Sequence, residues 1–598
     1  MAVTPGARTS TDTSVRELTP RGIALGAILA LVLGAANAYL GLYAGMTVSA
    51  SIPAAVISMA MLRALGRATI LENNVVQTIA SAGEAVAAGA IFTFPALVIL
   101  GDREPLRYRD VTLLCVAGAT MGSLLVVFLR RAYIVEERLP FPEGLACAQV
   151  LRAGDAGGTS ARPLVWGGII AAILKASQDV FGLVPGALSG ARWVGRAPIA
   201  GSIDLSAALL GVGYIIGLRT GILVFAGGAI AWLAAIPILG WLHPTANAID
   251  AGVAAQALWS GEVRYMGVGA MLVGGVATLW RLRGAMGRAI GESIRAARGL
   301  RKETSAREDT DLSARAVLVA VGGCVPVIFA ICLIISGSVW LSVALAIALA
   351  VIGFFATAVA GYLTGIVGAS NNPVSGVTVI VLLGVAAMLR AWGVPADIGP
   401  RLAITAGAVV CAAAAMAGDS LHDLATGFHV GATPRSLEIA VLIGALVASL
   451  AMAPVLNLLI CGYGIAGTAT AKAGALAAPQ AFLMAKVAQG VFTGGLPWGA
   501  VGAGIILAFA LLTFDFALER SGSRWRTPVM PVAIGLYLPF GLSVAILIGA
   551  IARALGPRDD SSEGTSGVLF AAGMIAGEAL MGVASGAMVS GGLRLPLR

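Results

Sequence analysis

Three stretches of this chain fix the solvent in which it folds. "ALGAILALVLGAANAYLGLYAG" (24–45), "AVLVAVGGCVPVIFAICLIIS" (316–336) and "WLSVALAIALAVIGFFATAVAG" (340–361) each supply the roughly 20 apolar residues that a helix needs to cross a bilayer. The rest agrees: 58% of residues are hydrophobic and 12% charged, with mean hydropathy +0.92, against about 25% charged in soluble domains. A water-soluble helical protein is excluded on this ground. The expected fold is an all-α polytopic membrane protein. Apolar runs predict spans near 23–43, 46–62, 76–100, 111–129, 164–182, 203–219, 221–242 and 264–280. Beyond a polar break they continue near 316–336, 340–362, 373–392, 402–418, 436–458, 498–516, 529–552 and 568–590. That makes about sixteen transmembrane helices.

The basic residues orient them. Arg8, Arg16 and Arg21 precede the first span, Arg63 and Arg67 follow the second, and Arg130, Arg131 and Arg138 follow the fourth. The segment 281–315 carries nine Lys and Arg. All fall on one side, which the positive-inside rule makes cytoplasmic. The net charge of +9 is therefore loop bias, and nucleic-acid binding is not expected. The chain divides into a cytoplasmic tail (1–22), a first membrane half (23–280), a basic cytoplasmic linker (281–315) and a second half (316–598). Both termini lie inside, in what is expected to be a bacterial inner membrane. The first 20 residues are polar, so the first apolar helix is expected to be retained rather than cleaved. The six cysteines show no metal or disulfide spacing, and no cofactor or metal site is expected.

The halves share a weak repeat. "GLYAGMTVSASIPAAVISMAML" (41–62) parallels "GIVGASNNPVSGVTVIVLLGVAAML" (365–389), and "PEGLACAQV" (142–150) aligns without gaps on "PQAFLMAKV" (479–487). Between them lie "ENNVVQTIASAGE" (72–84) and "GDSLHDLATGFH" (418–429). Two pseudo-repeated halves with broken or re-entrant helices at matching positions are a signature of secondary transporters, whose sites form where the breaks meet. Pro142, Pro373 and Pro479 each disfavour helix just before them, and irregular backbone at membrane depth must line a cavity or be buried in protein.

These islands supply the candidate residues. Asn73, Asn74, Gln77, Glu143, Gln149, Ser370, Asn371, Asn372, Gln480 and Lys486 are candidates for substrate binding. Glu84, two helical turns after Gln77, shares its face. Carboxylates at this depth cost about 2.5–3.5 kcal/mol to insert and mark functional positions. Glu84, Glu578 and the D-x-x-H-D cluster Asp419, His422 and Asp423, placed at a membrane boundary, are candidates for proton coupling. Lys175 and Asp179, four apart, are expected to pair internally, and His243 to lie in a loop. No phosphate-binding G-x-x-x-x-G-K-[ST] loop is present. A channel or facilitator using the same islands as a filter is the alternative, and a membrane-embedded enzyme the least favoured reading.

Eight motifs in order carry a resemblance: "GLYAGMTVSASIPAAVIS", "NNVVQTIASAGE", "PFPEGLACAQVL", "ASNNPVSG", "GDSLHDLATG", "PQAFLMAKV", "PVAIGLYLPF" and "AGEALMGV". Together they resemble the oligopeptide transporter family, over about residues 23 to 590. The resemblance implies about sixteen helices and proton-coupled uptake of small peptides or of metal complexes with amino-acid-derived chelators. The N-P-G and K-I-P-P-R motifs of the peptide-transporting branch are absent, which brings the chain closer to the yellow stripe-like branch and its bacterial relatives. Expected partners are the cargo, protons and membrane lipids, with a homo-oligomer compatible.

Overall fold

The computed structural model describes residues 16–45, 47, 49–66, 68–101, 106–155, 162–242, 250–274, 276–277, 280, 310–369, 372, 374–469, 471–472, 475–494, 497–523, 525–556 and 566–591. The chain opens with α1 (Pro20–Ala44), α2 (Ser51–Ala64), α3 (Ile70–Ile91), α4 (Phe94–Ile99), α5 (Tyr108–Arg130), α6 (Pro142–Asp155) and α7 (Arg162–Asp179). A hairpin of β1 (Ala187–Val194) and β2 (Ala197–Asp204) leads to α8 (Ala207–Ala229), α9 (Ile236–Leu242), α10 (Ala251–Leu258) and α11 (264–274). The second part comprises α12 (Ala314–Ser336), α13 (Val339–Val367), α14 (Val374–Ala391), α15 (Gly399–Val430) and α16 (Pro434–Tyr463). It ends with α17 (Pro479–Thr493), α18 (Trp498–Arg520), α19 (Val529–Tyr537), α20 (Phe540–Leu555) and α21 (Ser566–Ser590).

Among the described residues, eleven helical stretches are long and apolar enough to cross a membrane, which makes this a polytopic membrane protein. The difference from sixteen has local causes. The span expected at 46–62 is only the 14-residue α2, because α1 ends at Gly45 (φ 72°) and α2 begins only at Ser51. The span expected at 529–552 breaks between Tyr537 and Phe540, where Pro539 interrupts it. The spans expected at 203–219 and 221–242 form one stretch with its kink at Gly217 (φ 78°). The 164–182 span is the 18-residue α7, whose last turns carry Lys175, Gln178 and Asp179. The 264–280 span is described only in part, and most of the linker, with His243, lies outside the described residues.

Two helices form the centre. In α3 every residue from Glu72 to Ile91 is buried, and α15 is buried over nearly all of its 32 residues. Protein surrounds both: α3 packs against α1, α15 and α16, and α15 against α5, α13 and α14. Outer helices show the opposite exposure, with Leu318 and Val319 of α12 and Ile506 and Phe509 of α18 facing outward. Small residues set the central spacing, as expected where helices approach closely in lipid. A Cβ at Gly89 of α3 would fall 2.6 Å from the Cα of Ala412 in α15. Capping begins α3: Thr69 accepts from the Glu72 N–H at 3.1 Å, and Glu72 in turn receives Arg21 Nη2 at 2.7 Å and Thr19 Oγ1 at 2.5 Å. This pins α1 to α3.

The last residues of the 281–315 segment are anchored by charge. Arg130, 1% exposed, donates to Asp311 through Nε at 2.6 Å and Nη2 at 3.2 Å. Glu438 of α16 accepts from the Leu312 N–H at 2.8 Å. Replacing Asp311 by Ala deprives a buried guanidinium of its bidentate partner, a loss of the kind that costs about 3–5 kcal/mol. The melting temperature of the purified variant should drop by several degrees, and an unchanged melt would show that this anchor contributes nothing.

Candidate functional site

The sequence islands 72–84 and 418–429 meet face to face. Gln77 Nε2 donates to Asp423 Oδ1 at 2.6 Å, and the Ser51 hydroxyl, from the start of α2, donates to the same oxygen at 3.4 Å. Ser51 Oγ also lies 3.0 Å from Ser81 Oγ and 3.4 Å from His422 Nδ1. Glu84 accepts the Ala50 backbone N–H at 2.7 Å and the amide of Asn37 in α1. The α6 helix closes the group: Thr426 donates to the Gly144 carbonyl of α6 at 3.1 Å, and Cys147 Sγ lies 3.8 Å from the Ser51 carbonyl. Glu84, Glu143, Asp419 and Asp423 thereby stand within electrostatic reach of one another.

Four carboxylates and a histidine in a protein interior need polar company, since an unpaired buried charge is costly. Part of it is missing. Among the described residues, Asn73 Oδ1, both polar atoms of Asn74, Gln77 Oε1, Ser420 Oγ, His422 Nε2, Asp423 Oδ2 and Asn372 Oδ1 are buried without a hydrogen-bond partner. Native interiors satisfy roughly nine in ten such groups, ordered water included, so these atoms are positions with spare hydrogen-bonding capacity gathered at one place. A small, half-open and mostly apolar space of about 40 Å³ borders it, between Asn37, Ala50 and Ala579.

Broken helices supply the geometry, as the prolines suggest. Phe141 (φ 37°) precedes Pro142 at the start of the 14-residue α6, and Ala478 (φ 40°) precedes Pro479 at the start of the 15-residue α17. Each is too short to span. The α13 helix stops at Gly368 (φ 89°); Asn372 beyond it donates to Thr364 Oγ1 at 3.1 Å, and Gly368 abuts the Glu143 carboxylate. Ser370 and Asn371 lie outside the described residues.

The structure separates other candidates from this cluster. The D-x-x-H-D residues of the cluster itself lie inside α15, which runs on past Gly418, where the span was expected to end, to Val430. Gln149 is on the exposed face of α6. Glu578 of α21 belongs to a second buried group, accepting from Ser206 Oγ at 2.8 Å and the Ala208 N–H at 2.8 Å. Nearby, Lys175 pairs with Asp179 at 3.1 Å as expected, and Tyr463 donates to Asp179 at 3.1 Å. Lys486 is half-buried beside Phe482, and Gln480 donates to the Gly45 carbonyl at 3.4 Å. Sequence reasoning passed over Asn37, Ser51, Ser81 and Thr426. Asn37 alone carried a signal, as an isolated amide in the first apolar run.

Comparison with known proteins agrees with this architecture. The family model described as OPT oligopeptide transporter protein matches residues 17–589. A protein of Haemophilus influenzae named "Putative oligopeptide transporter" is 34% identical over 599 residues, covering 94% of each chain. A match from residue 17 to 589, which takes in every polar island described above, places this chain in the OPT oligopeptide transporter family.

Proposed function

We propose that this protein is a secondary active transporter that couples an inward proton gradient to uptake of small peptides or amino-acid-derived metal chelates. One observation carries the reading: Glu84, Glu143, Asp419, Asp423 and His422 are gathered from three helices around partnerless polar atoms at the centre of the bundle. Such groups, away from lipid and within electrostatic reach of one another, suit a relay. Asn73, Asn74, Gln77 and Asn372 supply amides of both polarities to a polar cargo. The paired short entries α6 and α17 support a duplicated, broken-helix design in which access alternates around a fixed site. The basic loops support an inner membrane with both termini cytoplasmic.

Coupling is testable in proteoliposomes carrying a lumenal pH dye. Adding di- and tripeptides, or ferric and cupric chelates, outside should acidify the lumen in proportion to cargo entry and saturate with concentration. Uptake indifferent to the gradient would remove proton coupling, and non-saturating flux would indicate a channel.

A further inference from the structure

Away from the carboxylates, the structure holds a buried cation without an anion. Arg264, at the start of α11, is 4% exposed. Its guanidinium carbon sits 3.7 Å from the ring centre of Phe482, 4.5 Å from that of Tyr537 and 5.1 Å from that of Trp259. The Ala477 carbonyl, just ahead of α17, accepts from its Nη2 at 3.3 Å and the Tyr537 hydroxyl lies beside the guanidinium, while among the described residues its Nε has no partner. The Lys486 ammonium approaches the same Phe482 ring at 5.4 Å and lies within electrostatic reach of Arg264. Among the described residues, neither cation has a carboxylate within ion-pair distance.

The surroundings are rich in unused donors. Trp259 and Trp232 pack with ring centres 5.8 Å apart, and among the described residues both buried indole N–H groups have no partner. Both tryptophans lie on π-helical turns, Trp232 in Ile230–Ala235 and Trp259 in Trp259–Val263, and such turns recur at functional sites. Aromatic faces help to hold a desolvated guanidinium. They do not neutralise it, and an uncompensated buried charge is destabilising.

We infer that Arg264 and Lys486, set around Phe482 at the entry of α17, form an anion site that takes the terminal carboxylate of a peptide cargo. Arginine suits this role because its planar fork matches a carboxylate in two hydrogen bonds. The site is tied to the acidic centre. Gln480 of α17 holds the Gly45 carbonyl, and Ala50, five residues on, holds Glu84. That stretch spans at most about 17 Å when fully extended, which bounds the separation of the Gln480 and Glu84 contacts. In this proposal a zwitterion presents its carboxylate to Arg264 and its amino group to the acids. This inference rests on the transporter reading above and adds the recognition chemistry.

The experiment compares uptake of radiolabelled trialanine and its C-terminal amide by proteoliposomes under an imposed inward proton gradient. Wild-type protein should take up the free acid at least tenfold better. Arg264→Gln and Lys486→Gln should bring the acid down to the level of the amide, acting through KM, and Arg264→Lys should recover part of the preference. The cargo-free Arg264→Gln protein should melt no lower than wild type, since the substitution removes a buried charge rather than a pair. Equal wild-type uptake of acid and amide would overturn the site while leaving the transporter reading intact. So would an acid preference that survives Arg264→Gln, as expected if a lipid phosphate rather than cargo faces the arginine. Uptake of neither tripeptide under a verified gradient would overturn the peptide reading and this site together.

Discussion

Replacing Glu84 by Gln is expected to abolish gradient-driven accumulation of cargo, with a fall of a hundredfold or more in the initial rate. The substitution keeps the shape of the side chain, and an amide oxygen can still accept the Ala50 N–H that Glu84 now receives at 2.7 Å. What disappears is a proton-carrying group beside Glu143 and Asp423. Folding should therefore survive, because both partners, Ala50 and Asn37, retain an acceptor. If Glu84 carries the coupled proton, cargo exchange between equal concentrations should persist in the variant while net uptake against a gradient is lost. Asp423→Asn should damage both processes. The Asp423 oxygen accepts from Gln77 and Ser51, and an asparagine can turn its amide nitrogen toward those donors and disrupt the contact between α3 and α15. Unchanged gradient-driven uptake by the Glu84→Gln protein would remove this residue from the mechanism.

The second large effect is structural. At Gly89 the helices α3 and α15 touch backbone to backbone, and a Cβ there would stand 2.6 Å from the Cα and 2.9 Å from the Cβ of Ala412. Leucine at this position has nowhere to go except by forcing the two central helices apart. Overpacking of soluble cores costs about 1–3 kcal/mol, and a backbone contact in the middle of a bundle lies at or above the top of that range. Gly89→Leu should therefore yield little monodisperse protein in detergent, with a melting temperature lowered by ten degrees or more. Gly384 of α14 is the control: a Cβ there meets nothing within 4 Å, so Gly384→Leu should purify and melt like wild type. Equal behaviour of the two variants would show that α3 and α15 are not packed as described.

The sequence was informative wherever the chemistry was local. Proline restricts the residue before it, so the breaks ahead of α6 and α17 were legible from Pro142 and Pro479 alone. The pairing of Lys175 with Asp179 followed from helical spacing. The meeting of the 72–84 and 418–429 islands was legible only as an inference from the cost of burying polar groups in lipid. Hydropathy failed where protein, not lipid, is the surroundings. It ended a span at Gly418 because Asp419 is charged, yet α15 continues for twelve more residues, enclosed by its neighbours, and stops only at Gly431. It counted 46–62 as a crossing although the helical part is 14 residues long. The hairpin 187–204 escaped notice because its alanines and glycines carry no alternating pattern. Its one usable sign was Gly195 (φ 61°) at the first position of a two-residue turn. Arg264 was invisible for another reason: an arginine at the start of an apolar run reads as a loop residue, and only the fold shows it enclosed by three rings.

The account stands on one claim, that α3 and α15 line a single hydrated chamber open to cargo. Labelling a cysteine at position 420 tests it most directly. Ser420 is buried in α15, and its hydroxyl is among the partnerless atoms; the six native cysteines would first be replaced by serine or alanine. In proteoliposomes, the Ser420→Cys protein should react with a small, positively charged, water-borne methanethiosulfonate reagent, and saturating cargo should slow that reaction severalfold. A thiol at position 420 that stays inert under both inward and outward gradients, while one at exposed position 467 reacts, would mean that the space between α3 and α15 is dry.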